Sequence, residues 1–123
     1  MEPNKLEFCN DAMRRVCDLC KLLFNLKTDQ EVDKVFGVSQ DELEKVIRKI
    51  ISSLPDTIFN HGTQKLEEIK SIFAKEFIFF QVQEKLDDPH YQDDLIKFTY
   101  IFSRDIQRTI EADIRCSAKT EEE

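Results

Sequence analysis

The sequence predicts an all-α protein: a compact bundle of about five or six helices with a carboxy-terminal antiparallel helical hairpin. Three observations lead there. Glycine and proline are scarce, 2 and 3 in 123 residues, so few positions interrupt a helix. Apolar residues recur at spacings of three and four along most of the chain, which is the period of one helix face. Two Ser/Thr-x-x-Glu boxes and two prolines then mark where helices start and stop.

The first helix is expected over residues 4–26, where Leu6, Cys9, Met13, Val16, Cys17, Cys20, Leu23 and Phe24 form the apolar stripe. Thr28 with Glu31 makes a capping box, in which the Thr hydroxyl accepts from the third helical amide. A short helix should follow from Asp29 to Phe36, with Val32, Val35 and Phe36 inward. Gly37 ends it, because glycine enters the left-handed region without a Cβ clash. Ser39 with Glu42 is a second box, flanked by Val38 and Leu43 at the positions of a hydrophobic staple. That helix carries Val46, Ile47, Ile50 and Ile51 and should stop near Leu54, since Pro55 disfavours helical geometry in the residue before it.

Asp56 to Gly62 reads as a connector with room for one helical turn holding Ile58 and Phe59. Thr63 is the expected cap of a long helix through Leu86, with Leu66, Ile69, Phe73, Phe77 and Phe80 as its stripe. At Phe77-Ile78-Phe79-Phe80 this helix is apolar all round, a pattern that implies burial on more than one side. Asp87-Asp88-Pro89 breaks it. A last helix, His90 to Arg115, places Phe98, Phe102, Ile106, Ile110 and Ile114 four apart, with Leu95 and Ile101 widening the face. The short break makes the last two helices antiparallel neighbours. Residues 1–116 thus read as a single helical domain, and 117–123, with almost no apolar content, as a disordered acidic tail.

The composition excludes several function classes. The net charge is −7 and no segment is a basic block, which argues against a phosphate-binding footprint and so against nucleic acid. The longest uncharged apolar run is Phe77 to Phe80, so no membrane span is expected. The start, Met1-Glu2-Pro3-Asn4-Lys5, lacks the pattern of a secretory signal, and a cytoplasmic or nuclear location follows as the expectation. In those compartments the four cysteines are expected as thiols.

Cys17-Asp18-Leu19-Cys20 is a C-x-x-C without a second pair. A structural zinc site needs four ligands, and a redox site of this type needs a strand before the motif. Here the motif continues a helical stripe, so Cys17 and Cys20 are expected in the core, with no metal and no cofactor. His61 and His90 fall in polar breaks. Asp87, Asp88, Asp93 and Asp94 near His90 suit a helix start, and no nucleophile motif or phosphate loop accompanies either histidine. A non-enzymatic protein is the expectation.

Residues 29–48 resemble a helix-turn-helix, with Gly37-Val38-Ser39 as the turn. As a DNA-binding transcriptional regulator the chain would use Gln40, Lys45, Arg48 and Lys49. The start of its second helix, however, is Gln40-Asp41-Glu42 followed by Glu44, three acids where phosphates would lie. Asp33 also stands where a small residue usually packs between the two helices.

The order of elements also resembles the helical amino-terminal domain of COMM-domain proteins. The matching features are the Cys/Leu/Phe-rich first helix, a short helix running into FGVSQDELEKV, and the later IKFTYIFSRDIQRTI helix, together spanning most of residues 6–112. The resemblance implies a scaffold or adaptor subunit without enzymatic activity, of the kind that serves an endosomal trafficking assembly and transcriptional and ubiquitin regulation. The family's carboxy-terminal dimerising domain carries a Trp, and these 123 residues contain none, so only the helical domain is implied. The leading functional expectation is therefore a helical protein–protein interaction module. Its partner surface is expected at Phe77, Phe79, Phe80, Phe98, Ile101 and Phe102, where the hairpin carries more apolar surface than one face needs. The same surface could serve a homodimer.

Overall fold

The structure is a computed structural model that describes residues 3–84 and 87–122, with 113–122 described by backbone alone. It contains five α-helices: α1 (Pro3–Phe24), α2 (Asp29–Phe36), α3 (Gln40–Ser52), α4 (Thr63–Gln83) and α5 (Tyr91–Glu122). A 3-10 turn, Asp56–Asn60, lies between α3 and α4. No strand occurs among the described residues. The amino-terminal helix is the centre of the bundle: α4 packs along it, and α2, α3 and the 3-10 turn also contact it. α5 packs on α4 and α3.

The local signals act where the sequence places them. Thr28 Oγ1 accepts from the Glu31 amide at 3.2 Å and donates to the Glu31 carboxylate at 3.2 Å. Ser39 Oγ accepts from the Glu42 amide at 3.3 Å. Each hydroxyl thus satisfies an amide that the helix itself leaves without a partner. Gly37 has φ of 70°, and its amide closes α2 on Asp33 O at 2.8 Å. Val38 and Leu43 are both buried, as the staple requires. The connector after Pro55 forms the 3-10 turn and buries Ile58 and Phe59.

Several boundaries differ from expectation, and α1 spans Pro3–Phe24 where residues 4–26 are expected. α4 begins at Thr63 itself, with Gly62 at the cap position and no side-chain cap, so Thr63 is not the cap. α4 ends at Gln83, before the expected end at Leu86, which lies outside the described residues. α5 begins at Tyr91 and runs to Glu122, past the expected stop at Arg115. That stretch has no glycine or proline to stop it. Leu6 is exposed though expected on the apolar stripe of α1, and so are Leu23 and Phe24. The chain turns at Asn25 (φ 55°), and Leu26 packs against the core in their place.

The core is a ladder of rings. Phe8 meets Phe59 edge-on at 5.0 Å and ties α1 to the 3-10 turn, while Phe36 meets Phe77 at 6.5 Å and ties α2 to α4. Between α4 and α5, Phe73 meets Phe102 at 5.4 Å, Phe77 meets Phe98 at 6.4 Å, and Phe80 meets Tyr91 at 5.7 Å. Rising numbers on α4 pair with falling numbers on α5, so the hairpin is antiparallel. Pairs of this kind contribute roughly 0.5–1.5 kcal/mol each beyond the area they bury.

Polar side chains join elements far apart in the sequence. Lys5 is buried. Its Nζ donates to Leu54 O at 2.7 Å and pairs with Asp56 at 2.7 Å, and so caps the carboxy-terminal end of α3. Lys70, also buried, pairs with Asp11 at 2.9 Å and Glu67 at 3.1 Å. Arg15 donates to Glu67 O at 3.1 Å and Ser71 Oγ at 2.7 Å and pairs with the Glu67 carboxylate. Hydrogen bonds from Lys70 and Arg15 hold the Glu67 carboxyl below its ordinary pKa. Fully buried Gln81 accepts from the Tyr91 hydroxyl at 2.6 Å.

Candidate interaction surface

The hairpin aromatics divide into core and surface. Phe77 and Phe102 are fully buried and hold α4 against α5, so neither can meet a partner, which corrects their assignment to a partner-binding face. Phe80 and Phe98 are half-buried and stack on each other at 4.9 Å. Only Phe79, 56% exposed, and Ile101, 47% exposed, present themselves to solvent. The apolar excess noted in the hairpin is thus consumed mostly by the hairpin itself.

The helix-turn-helix geometry is present in α2 and α3, and its joint is polar. Gln40 Nε2 donates to Asp33 Oδ1 at 2.5 Å, and Gln40 Oε1 accepts from Cys17 Sγ at 3.4 Å. Asp33 therefore occupies the small-residue position because Gln40 satisfies it. Gln40, held in this joint, does not project towards a duplex. Arg48 pairs with Glu44 at 2.8 Å, and Lys49 donates to Gln92 of α5 at 2.6 Å, whereas Lys45 is exposed. Asp41 and Glu42 stay exposed at the start of α3, which disfavours a phosphate backbone there.

Cys9, Cys17 and Cys20 are all buried on the α1 stripe. Burial pushes the Cys9 and Cys20 thiols up to about 11 and raises Cys17 as well. That opposes the thiolate on which both metal binding and nucleophilic chemistry depend. Among the described residues no cluster of three or more His, Cys, Asp or Glu side chains is placed to hold a metal ion. The Cys116 side chain lies outside the described residues. His90 serves the start of α5: its amide donates to Asp88 Oδ1 at 2.8 Å, and its carbonyl accepts from the Asp94 amide at 3.0 Å. His61 lines a small cavity of about 230 Å³ beside Phe8, Phe59 and Lys70.

A consequence in alkaline solution follows from the thiols. The folded pKa values of Cys9 and Cys20 lie above the ordinary value of 9.0, and that of Tyr91, raised by burial to about 12, lies above 10.0. Between pH 9 and 11 the unfolded chain therefore releases protons that the folded chain retains, so stability falls as pH rises. Urea midpoints should decline steadily across that window, and Cys20→Ala should flatten the slope. A midpoint independent of pH up to 11 would contradict the burial of these thiols.

One surface groove, about 340 Å³, lies beside Cys17, Lys21, Asp29 and Gln40, and two others bear on a partner site. The larger, about 540 Å³, runs between α1 and α4. Its walls hold Asp11, Arg15, Asp18 and Glu67, and most of this charge is already compensated across the groove. The second, about 300 Å³, lies between α3, Pro55 and α5. Its floor is Leu95, buried, and its walls are Pro55, Ile96 and Tyr100, with the hydroxyls of Ser53 and Thr99 beside them. Ile96 is 62% exposed and Tyr100 68%, one helical turn apart on α5. No family model matches the chain, and no curated protein or solved structure matches it either. Among the described residues no helix is long and apolar enough to cross a membrane.

Ile96 and Tyr100 escape a sequence reading built on the four-apart stripe. That stripe runs through Phe98, Phe102 and Ile106, and the α5 residues Ile96, Thr99, Tyr100 and Ser103 occupy the next face round. The available signal was the run Leu95-Ile96 followed by Thr99-Tyr100, a second apolar edge beside the first.

Proposed function

We propose that this chain is a non-enzymatic helical protein–protein interaction module, an adaptor, whose working surface is the groove between α3 and α5. One observation carries the reading: Ile96 and Tyr100 stand side by side, well exposed, over the apolar floor of Leu95 and Pro55. Large apolar side chains scattered singly on a surface need no explanation, but a grouped pair over an apolar groove is what a partner site offers. The COMM-domain resemblance in helix order supports the adaptor role.

The test is photo-crosslinking from a benzophenone amino acid placed at Tyr100, with a second at exposed Gln64 on the first turn of α4 as control. The expected result is a discrete crosslinked protein from Tyr100 alone that disappears on Ile96→Asp. Equal products from both positions, or none from Tyr100, would overturn the reading.

A further inference from the structure

The proposed groove has a charge pattern unlike the rest of the molecule. The chain carries a net −7, yet no carboxylate lines the groove, and its one charged wall residue is Lys49. Lys45 lies one turn before Lys49 on α3 and is exposed. Lys49 Nζ is held by Gln92 Oε1 in an exposed hydrogen bond, a contact to a neutral acceptor that a carboxylate replaces favourably. Along α5 the row Gln92, Ile96, Tyr100, Ser103 and Gln107 repeats at spacings of three and four and holds no charge. The flank of this row carries Asp93, Lys97 and Arg104, while Asp94 and Asp105 lie on the far side of the helix. The uncharged row is about 22 Å long at 1.5 Å per residue, roughly four turns.

An uncharged row of that length, with Ile96 and Tyr100 beside the floor at Leu95 and cations on one edge, matches the side of a helix. An extended strand would find no open sheet edge here, since the described residues contain no strand. Nucleic acid would meet an uncharged row and two lysines against a chain of net −7. We propose that the α3–α5 groove receives the apolar face of an amphipathic helix from a partner protein, with that helix's acidic residues set against Lys49 and Lys45. This rests on the interaction-module reading and adds the chemistry of the partner.

The probe is a pair of synthetic helical peptides of about fifteen residues, long enough to span the row. Both carry leucines at every third and fourth position. One has glutamates beside the leucine stripe and the other has lysines. Binding to the full chain is read by fluorescence anisotropy at low and high salt. The glutamate peptide is expected to bind about fivefold or more tightly than the lysine peptide, the size of one or two exposed ion pairs. The preference should shrink as salt screens it. Ile96→Asp should weaken both peptides, and Lys49→Glu with Lys45→Glu should reverse their order. Both lysines are exposed, so circular dichroism is expected to show the charge-reversed chain as helical as the parent. Equal binding, tighter binding of the lysine peptide, or no binding of either overturns the proposal. If a discrete crosslink from Tyr100 persists in that case, the interaction reading stands and only the partner chemistry fails. If the crosslink is absent as well, both fall.

Discussion

Phe77→Ala is expected to lower the stability of the folded chain by about 3–5 kcal/mol. The ring is fully buried and meets Phe36 on α2, Phe73 on its own helix and Phe98 on α5. Its removal takes away the apolar burial and leaves a cavity that three helices would have to move to fill. A domain of this size has a total stability of roughly 5–15 kcal/mol, so the variant would lose about a fifth of it or more. Urea denaturation followed by circular dichroism is the measurement. Phe79→Ala, two residues on, should change the midpoint very little, because Phe79 is mostly exposed. If the two variants behaved alike, the assignment of Phe77 to the core and Phe79 to the surface would fail.

Lys5→Met is the second large effect, expected near 1–3 kcal/mol. Methionine fills nearly the same space but donates no hydrogen bond. Leu54 O would lose its buried donor, and Asp56 the cation that neutralises it. The contact spans almost half the chain, so the loss would appear as a loosened junction between α1 and the end of α3. Hydrogen exchange should quicken at the Ser53 and Leu54 amides, which close the last turn on Ile50 and Ile51. An unchanged midpoint with unchanged exchange would mean that the Lys5 contact contributes nothing in solution.

The helices and their ends were legible because their signals are local. Thr28 with Glu31, Ser39 with Glu42, Gly37 and Pro55 each act through bonds or clashes within four residues, and each sits where the structure places a boundary. The partition of apolar residues between core and surface was less legible. Periodicity assigns Phe77 and Phe102 to one stripe with Phe98, but it does not say that the two helices would spend that stripe on each other. Nor does it separate Leu23, exposed, from Cys20, buried, three residues apart on one helix. That distinction depends on which neighbour reaches that turn, a matter of tertiary packing.

The charged residues carry the same lesson. Nothing in the sequence pattern marks Lys5 and Lys70 as buried, and both are, because carboxylates and carbonyls some fifty residues away meet them. Asp33 read as a misfit in a helix-turn-helix until Gln40 supplied its partner. The groove walls were hidden for a different reason. Pro55, Ile96 and Tyr100 come from two stretches about forty residues apart, and only the packing of α3 against α5 brings them together.

The position of α1 at the centre of the bundle bears on how the protein is made. α1 is synthesised before the helices that pack against it, and its most extensive contacts wait for α4. Arg15 and Lys70 find their partners more than fifty residues away. Until residues 63–83 emerge, the buried face of α1, with Phe8, Val16 and its three cysteines, has no α4 to lie against. A nascent chain stalled before α4 thus exposes a Cys-rich apolar helix to chaperones and oxidants alike. Synthesis order, more than final stability, sets the interval in which those thiols are vulnerable.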